Sequence, residues 1–201
     1  MNETFSQSFT MKGVLYLMDG KTYRAVRKSS KNTAWEAVSV SGTAYVPTTT
    51  ISAAPTGGGT SYEAVNLLTP KRINTFIGDG TATQFKVDAT DLDETAVTAE
   101  VNGSAVTVSA VNRSTGLVTL AAAPANGNGL ANVSIAFAKT VSGHADKINK
   151  CRFSGLYGGK NDTRVFLSGN PDEPDCDWQS GLYDPTYFPD TGYTRMVRMH
   201  L

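Results

Sequence analysis

Carboxylates and aromatic rings crowd one stretch of this chain. Asp172, Glu173, Asp175, Asp177 and Asp184 run through the same segment as Trp178, Tyr183, Tyr187 and Phe188. Three chemistries use that mixture. Glycoside hydrolysis needs two carboxyl groups facing each other across a cleft, one as acid and one as base or nucleophile. A glycan-binding surface needs rings to stack on a sugar and carboxylates to accept its hydroxyls. An acidic turn needs only local bonding: Asp172 and Asp177 cap backbone amides, while Pro171 and Pro174 fix φ. The last is the simplest, and no catalytic pair is assigned. The residues retained as interface or glycan contacts are Trp178, Tyr183, Tyr187, Phe188, Asp175 and Asp177.

No other constellation adds chemistry. His144 and His200 are the two histidines and Cys151 and Cys176 the two cysteines, with no spacing that pairs a thiol with a base. A structural zinc site would want about four such ligands at motif spacing. Gly57-Gly58-Gly59 is followed by Thr60-Ser61-Tyr62-Glu63, without the Gly-Lys-Ser/Thr ending of a phosphate loop. Asp79, Asp88, Asp91, Asp93 and Glu94 could hold calcium but lack the EF-hand spacing, and read as solvated turns. The chain is expected to be a non-enzyme with no catalytic, cofactor-binding or metal-ligating residue.

The elements around these residues read as strands. Val14–Met18 and Thr22–Val26 flank Asp19-Gly20, and Trp35–Val40 follows the polar loop at 29–32, a three-stranded meander. Residues 46–59, with two prolines and three glycines, read as an extended connection. Residues 62–68 suit one helical turn or a strand, stopped by Pro70. From 73 to 139 the pattern becomes self-contained: Thr83–Val87, Val97–Val101 and Ala105–Val108 across Asn102-Gly103, Leu117–Leu120, and Val133–Phe137. With no helical period, this predicts a small antiparallel β-sandwich or barrel. Lys147–Phe153 is a further strand candidate, residues 157–162 a turn, and Arg164–Ser168 a strand. Similar styles on either side of a self-contained unit imply one discontinuous body, 1–72 and 140–201, with 73–139 inserted into it.

Bulk composition narrows the partners. Of 201 residues, 18 are basic and 18 acidic, and the sequence pI is near 6.7. That lacks the basic excess of a nucleic-acid binder, so no nucleic acid is expected. Arg24, Arg27, Lys28 and Lys31 read as a solvated hairpin face. Met1-Asn2-Glu3-Thr4 has no positive leader, and no apolar run approaches the roughly 20 residues that cross a bilayer, so no membrane is expected either. The two cysteines read as reduced and structural.

Arg164-Val165-Phe166-Leu167-Ser168-Gly169-Asn170-Pro171, followed by Trp178-Gln179-Ser180-Gly181-Leu182-Tyr183-Asp184-Pro185-Thr186-Tyr187-Phe188-Pro189, resembles a blade motif of β-propeller virion proteins from tailed bacteriophages. Val14 to Gly20 looks like the strand and Asp-Gly turn of an earlier blade. The order Gly-Asp-Gly-Thr, Val-Asn-Gly, Val-Asn-x-x-Thr-Gly-x-Val-Thr-Leu from Gly78 to Leu120 resembles small β modules of phage tail and fibre proteins. The resemblance implies an all-β fold, with antiparallel propeller-blade-like strands at 1–72 and 140–201 interrupted by the inserted β module. It implies a virion structural protein of the tail or neck, similar to hub-stabilisation proteins and assembled in the bacterial cytoplasm. Its partners would be other virion proteins and further copies of itself, with cell-surface glycan as the alternative. Propellers close with about four to eight blades, and two or three are accounted for here. The family pattern implies a Gly-Ser-Asp-like continuation after Gly192-Tyr193-Thr194, which a two-base shift of the codons for Met196–Leu201 permits. The expectation is a truncated propeller with open sheet edges that oligomerises or repacks.

Overall fold

The computed structural model describes residues 6–29, 34–159 and 163–196. Residues 1–5, 30–33, 160–162 and 197–201 lie outside them, and with them most of the polar loop at 29–32 and the end of the turn at 157–162. The chain is all-β and divides into two compact units, both discontinuous: residues 1–45, 66–69 and 142–201 form the first, and 46–65 with 70–141 the second.

The first unit opens with a four-stranded antiparallel meander, β1 Gln7–Met11, β2 Val14–Met18, β3 Tyr23–Lys28 and β4 Trp35–Ser39, in sequence order across the sheet. Its turns are local. Lys12 and Gly13 both take positive φ between β1 and β2, the geometry of a tight hairpin. At Asp19-Gly20, Asp19 Oδ1 accepts hydrogen bonds from the amides of Lys21 at 3.0 Å and Thr22 at 2.7 Å.

The second unit holds β5 Thr48–Ala53, β6 Thr60–Ser61, β7 Lys71–Phe76, β8 Gln84–Lys86, β9 Thr98–Val101, β10 Ser104–Val106, β11 Val108–Asn112, β12 Leu117–Leu120 and β13 Val133–Ala138. Six of them make one sheet, β10-β9-β13-β7-β5-β6, and three make another, β11-β12-β8. The two sheets share a core of Ala53, Phe76, Ala99, Val133, Ile135 and Phe137 from the first with Phe85, Val118 and Leu120 from the second. Phe76 and Phe85 meet edge to face at 5.4 Å. Among the described residues no sheet closes on itself, so the barrel alternative does not form; two open sheets share the core. The Asn102-Gly103 hairpin forms with positive φ at both residues.

Three expectations are corrected. Residues 46–59 are not merely a connection: β5 lies within them and pairs parallel with β7, interrupted by register shifts. Pro47 and Pro55 flank this β-branched run rather than break it. Residues 62–68 form neither helix nor strand; Asn66 makes an isolated bridge to Pro189. Lys147–Phe153 is not a strand. A short helix, α1 His144–Asn149, occupies its start, and Ile148 and Cys151, three apart, both enter the core of the first unit. The chain then forms a second four-stranded antiparallel meander, β14 Phe153–Tyr157, β15 Arg164–Ser168, β16 Cys176–Gln179 and β17 Tyr193–Arg195. Met18, Tyr23, Val165, Leu167, Trp178 and Phe188 tie both meanders into one core.

Gly116 illustrates how tightly the second unit closes. Its φ is +70, and a Cβ there would lie 2.0 Å from the Ala89 carbonyl oxygen. Gly116→Ala is expected to cost that unit about 2–3 kcal/mol, from left-handed strain plus displaced backbone. A lower calorimetric midpoint for the second unit's transition, with the first unit's unchanged, is the expected readout.

Candidate functional site

The stretch from Arg164 to Pro189 is assembled by asparagine clamps and Asx turns. Asn170 is buried; its amide donates to the carbonyls of Asp146 at 3.2 Å and Lys147 at 3.0 Å, and its oxygen accepts from the Asp172 amide at 2.9 Å. That joins the turn after β15 to α1. Ser180, also buried, accepts from the Val165 amide at 3.0 Å and donates to the Gly181 carbonyl at 2.8 Å. Asp184 Oδ1 accepts from both the amide and the hydroxyl of Thr186, at 2.8 and 2.7 Å.

Asn66 holds the end of the stretch. Its Nδ2 donates to the carbonyls of Tyr45 and Thr186, each at 2.8 Å. Its Oδ1 accepts from the amides of Leu68 at 3.1 Å and Phe188 at 3.0 Å. All of an asparagine's usual hydrogen-bonding capacity is used. Asn170 stood in the sequence only as part of a motif and Asn66 not at all, because the bonds that make each a clamp reach backbone groups distant in the chain.

The six candidate contact residues do not converge on one surface. Trp178 and Phe188 are 1% and 0% exposed and serve as core anchors, not contacts. The period of two along β16 puts Cys176 and Trp178 on the inner face. The rings take separate neighbours: Trp178 lies 5.1 Å from Tyr193, Phe188 meets Tyr23 edge-on at 6.1 Å, and Tyr187 tilts against Tyr45 at 5.1 Å. Tyr183 is half-buried with φ +51, and its hydroxyl donates to the Gly159 carbonyl at 3.4 Å. Asp175 and Asp177 are half-buried. A sugar-stacking platform built on Trp178 is therefore absent.

The acids are distributed among cations instead of being paired with one another. Asp172 meets Lys150 at 2.7 Å, Glu173 meets Arg195 at 2.8 Å and Lys147 at 3.6 Å, and Asp175 meets Arg195 at 3.4 Å. The calcium candidates are likewise dispersed. Asp79 caps its own turn, Asp88 binds Thr49, Thr50 and Asn74, Asp93 holds Thr140, and Glu94 meets Arg113. Among the described residues, no group of three or more His, Cys, Asp or Glu is placed to hold a metal.

The thiols are free and buried. Burial, reinforced by Asp177 and Glu173, pushes Cys151 up to about 12. Cys176 is also raised, by burial and by its bond to Glu173. Neither is a thiolate near neutral pH, which is the wrong state for a nucleophile. Tyr23 is held well above its usual value of 10.0 by burial, then by Tyr16 and Asp184. These raised values set an alkaline limit. The folded state keeps protons that the unfolded chain releases above about 9 for the cysteine and 10 for the tyrosine. Stability of the first unit is expected to be full below pH 9 and to fall as pH rises toward about 12. Urea midpoints at several alkaline pH values check this, and Cys151→Ala is expected to flatten the slope.

No helix among the described residues is long and apolar enough to cross a membrane. Compared with family models, curated proteins and solved structures, the chain finds no match.

Proposed function

We propose that this chain is a non-enzymatic structural component of a bacteriophage or prophage virion, acting through protein–protein contacts in the tail or neck. The observation that carries the reading is the pair of four-stranded meanders built around one core. Each is a blade-like unit, and their first strands approach one another: the Ser154 amide on β14 donates to Gln7 Oε1 on β1 at 2.8 Å. First strands lying side by side are what adjacent propeller blades present toward a common axis. The second unit plays the part of the inserted β module.

The contact surface in this reading is the outer face of the last sheet. By register, Phe153, Gly155 and Tyr157 share a face with Phe166, the partner of Gly155, while Val165 and Leu167 point into the core. Phe153 and Tyr157 are 52% and 77% exposed, and Tyr157 packs edge-on against Phe166 at 6.2 Å. Exposed aromatics on an open sheet suit a protein partner, either another virion protein or a second copy.

Mass spectrometry of particles purified after prophage induction, in the strain carrying the gene, tests the reading. Peptides of this chain are expected to co-sediment with tailed particles. Their confinement to the particle-free fraction would overturn it.

A further inference from the structure

The second unit contains a cavity of about 390 Å³ between the loop after β5, β5 itself and the segment that follows β8. Part of its lining is a polar knot. Asp88 Oδ2 accepts from Thr49 Oγ1 at 2.6 Å, Thr50 Oγ1 at 2.7 Å and Asn74 Nδ2 at 2.9 Å. The Asp88 amide donates back to Asn74 Oδ1 at 2.8 Å, and Asn74 is 1% exposed. The carboxylate is thereby fixed in orientation through one oxygen, and Oδ1 has no partner among the described residues.

Lys86 lines the same cavity. Its stem runs along the loop: a Cβ on Gly57 would lie 3.2 Å from Lys86 Cγ, and Gly57 has φ +104. Its ammonium makes no ion pair or hydrogen bond among the described residues, with Asp88 or with any other group. Ala53, Val87 and Ala89 supply a small apolar patch. Two opposite charges thus line one cavity without neutralising each other. Tying β5 to β7 accounts for the bonds to Asp88 Oδ2. Asp88 is exposed and Lys86 half-buried, so Oδ1 and the ammonium are hydrated and remain available to a ligand that enters the cavity.

The ligand chemistry follows from that pair. A small anion meets Asp88, and a metal or organic cation meets Lys86. A neutral molecule with adjacent hydroxyls donates to one and accepts from the other, through charge-assisted bonds that neutral partners do not match. A zwitterion could satisfy both charges, but these groups are open to water, where loose ion pairing contributes little. A pre-oriented carboxylate offers directional hydrogen bonds instead. The volume lies at the small end of ligand sites, roughly 300–1,000 Å³.

We propose that this cavity binds a single neutral saccharide unit, with Asp88 Oδ1 accepting from its hydroxyls, the Lys86 ammonium donating to them, and Ala53, Val87 and Ala89 against its C–H face. The site shares no residue with the aromatic stretch and stands independently of the virion reading.

The test is a saccharide array probed with the full chain, followed by calorimetric titration of the strongest hit as its methyl glycoside. Lys86→Met keeps the stem against Gly57 and leaves the Asp88 knot intact. It is expected to weaken binding at least about tenfold with an unchanged melting temperature. Asp88→Asn is expected to weaken it by a similar factor. Retention of no saccharide on the array overturns the proposal. So does wild-type affinity in Lys86→Met, or displacement of the glycoside by free glycine at equal concentration.

Discussion

Replacing Asn66 by alanine is expected to destabilise the first unit by about 4 kcal/mol. The side chain receives the amides of Leu68 and Phe188 and donates to the carbonyls of Tyr45 and Thr186. It is 1% exposed, so water cannot easily take its place. Two buried amides would lose their acceptor, at about 1–3 kcal/mol each. Thr186 keeps a bond from the Tyr45 amide at 3.2 Å, which limits the loss on the acceptor side. Aspartate should fare no better. It preserves the acceptor for both amides but sets a negative charge against two carbonyl oxygens. Tryptophan fluorescence is the natural probe, since Trp35 and Trp178 both belong to the first unit. Both variants should shift the urea midpoint down with little change in slope. A midpoint within error of wild type would mean that Asn66 is not the clamp that joins the 184–189 turn to the rest of its unit.

What could be read from the sequence was local. Val14–Met18, Leu117–Leu120 and Arg164–Ser168 form strands at the residues expected, because alternation and a neighbouring turn dipeptide specify them within a few positions. The Asn102-Gly103 hairpin is of the same kind. What escaped was settled at a distance. Thr48–Ala53 becomes a strand because β7 lies beside it in parallel, a pairing that no short-range signal announces. At α1 Ile148 and Cys151 lie about one helical turn apart and both enter the core, but six helical residues are too few for that period to stand out from a strand's alternation.

The candidate site shows the same division. The density of acids and rings around Trp178 was plain, but density does not say which face a ring occupies. Alternation along β16 does so once the strand is placed, sending Cys176 and Trp178 inward and Asp177 outward. The acids then find Lys147, Lys150 and Arg195, all of them distant in sequence from their partners. The cavity of the second unit was not legible as one site: Gly57 and Asp88 stood out separately, but Thr50, Gly57, Asn74 and the Lys86–Asp88 segment come from four stretches that no spacing links.

Trp178→Ala should therefore behave as a core deletion, costing the first unit about 3–5 kcal/mol. The ring is 1% exposed, packs at 5.1 Å from Tyr193, and has the Lys147 ammonium 5.0 Å from its centre. Its removal leaves a void among Val165, Leu167, Cys151 and Cys176, which share its cluster. Phenylalanine is the informative comparison. The indole N–H of Trp178 is buried and has no partner among the described residues, so Trp178→Phe loses volume while also removing an unpaired donor. The two effects oppose each other, and the net cost should stay below about 2 kcal/mol. Urea unfolding followed by Trp35 fluorescence and far-ultraviolet circular dichroism would separate the variants. A surface contact residue predicts a different pattern, with both substitutions lying within about 0.5 kcal/mol of wild type. The ordering alanine far below phenylalanine, and phenylalanine close to wild type, is what a buried ring with an unsatisfied donor requires.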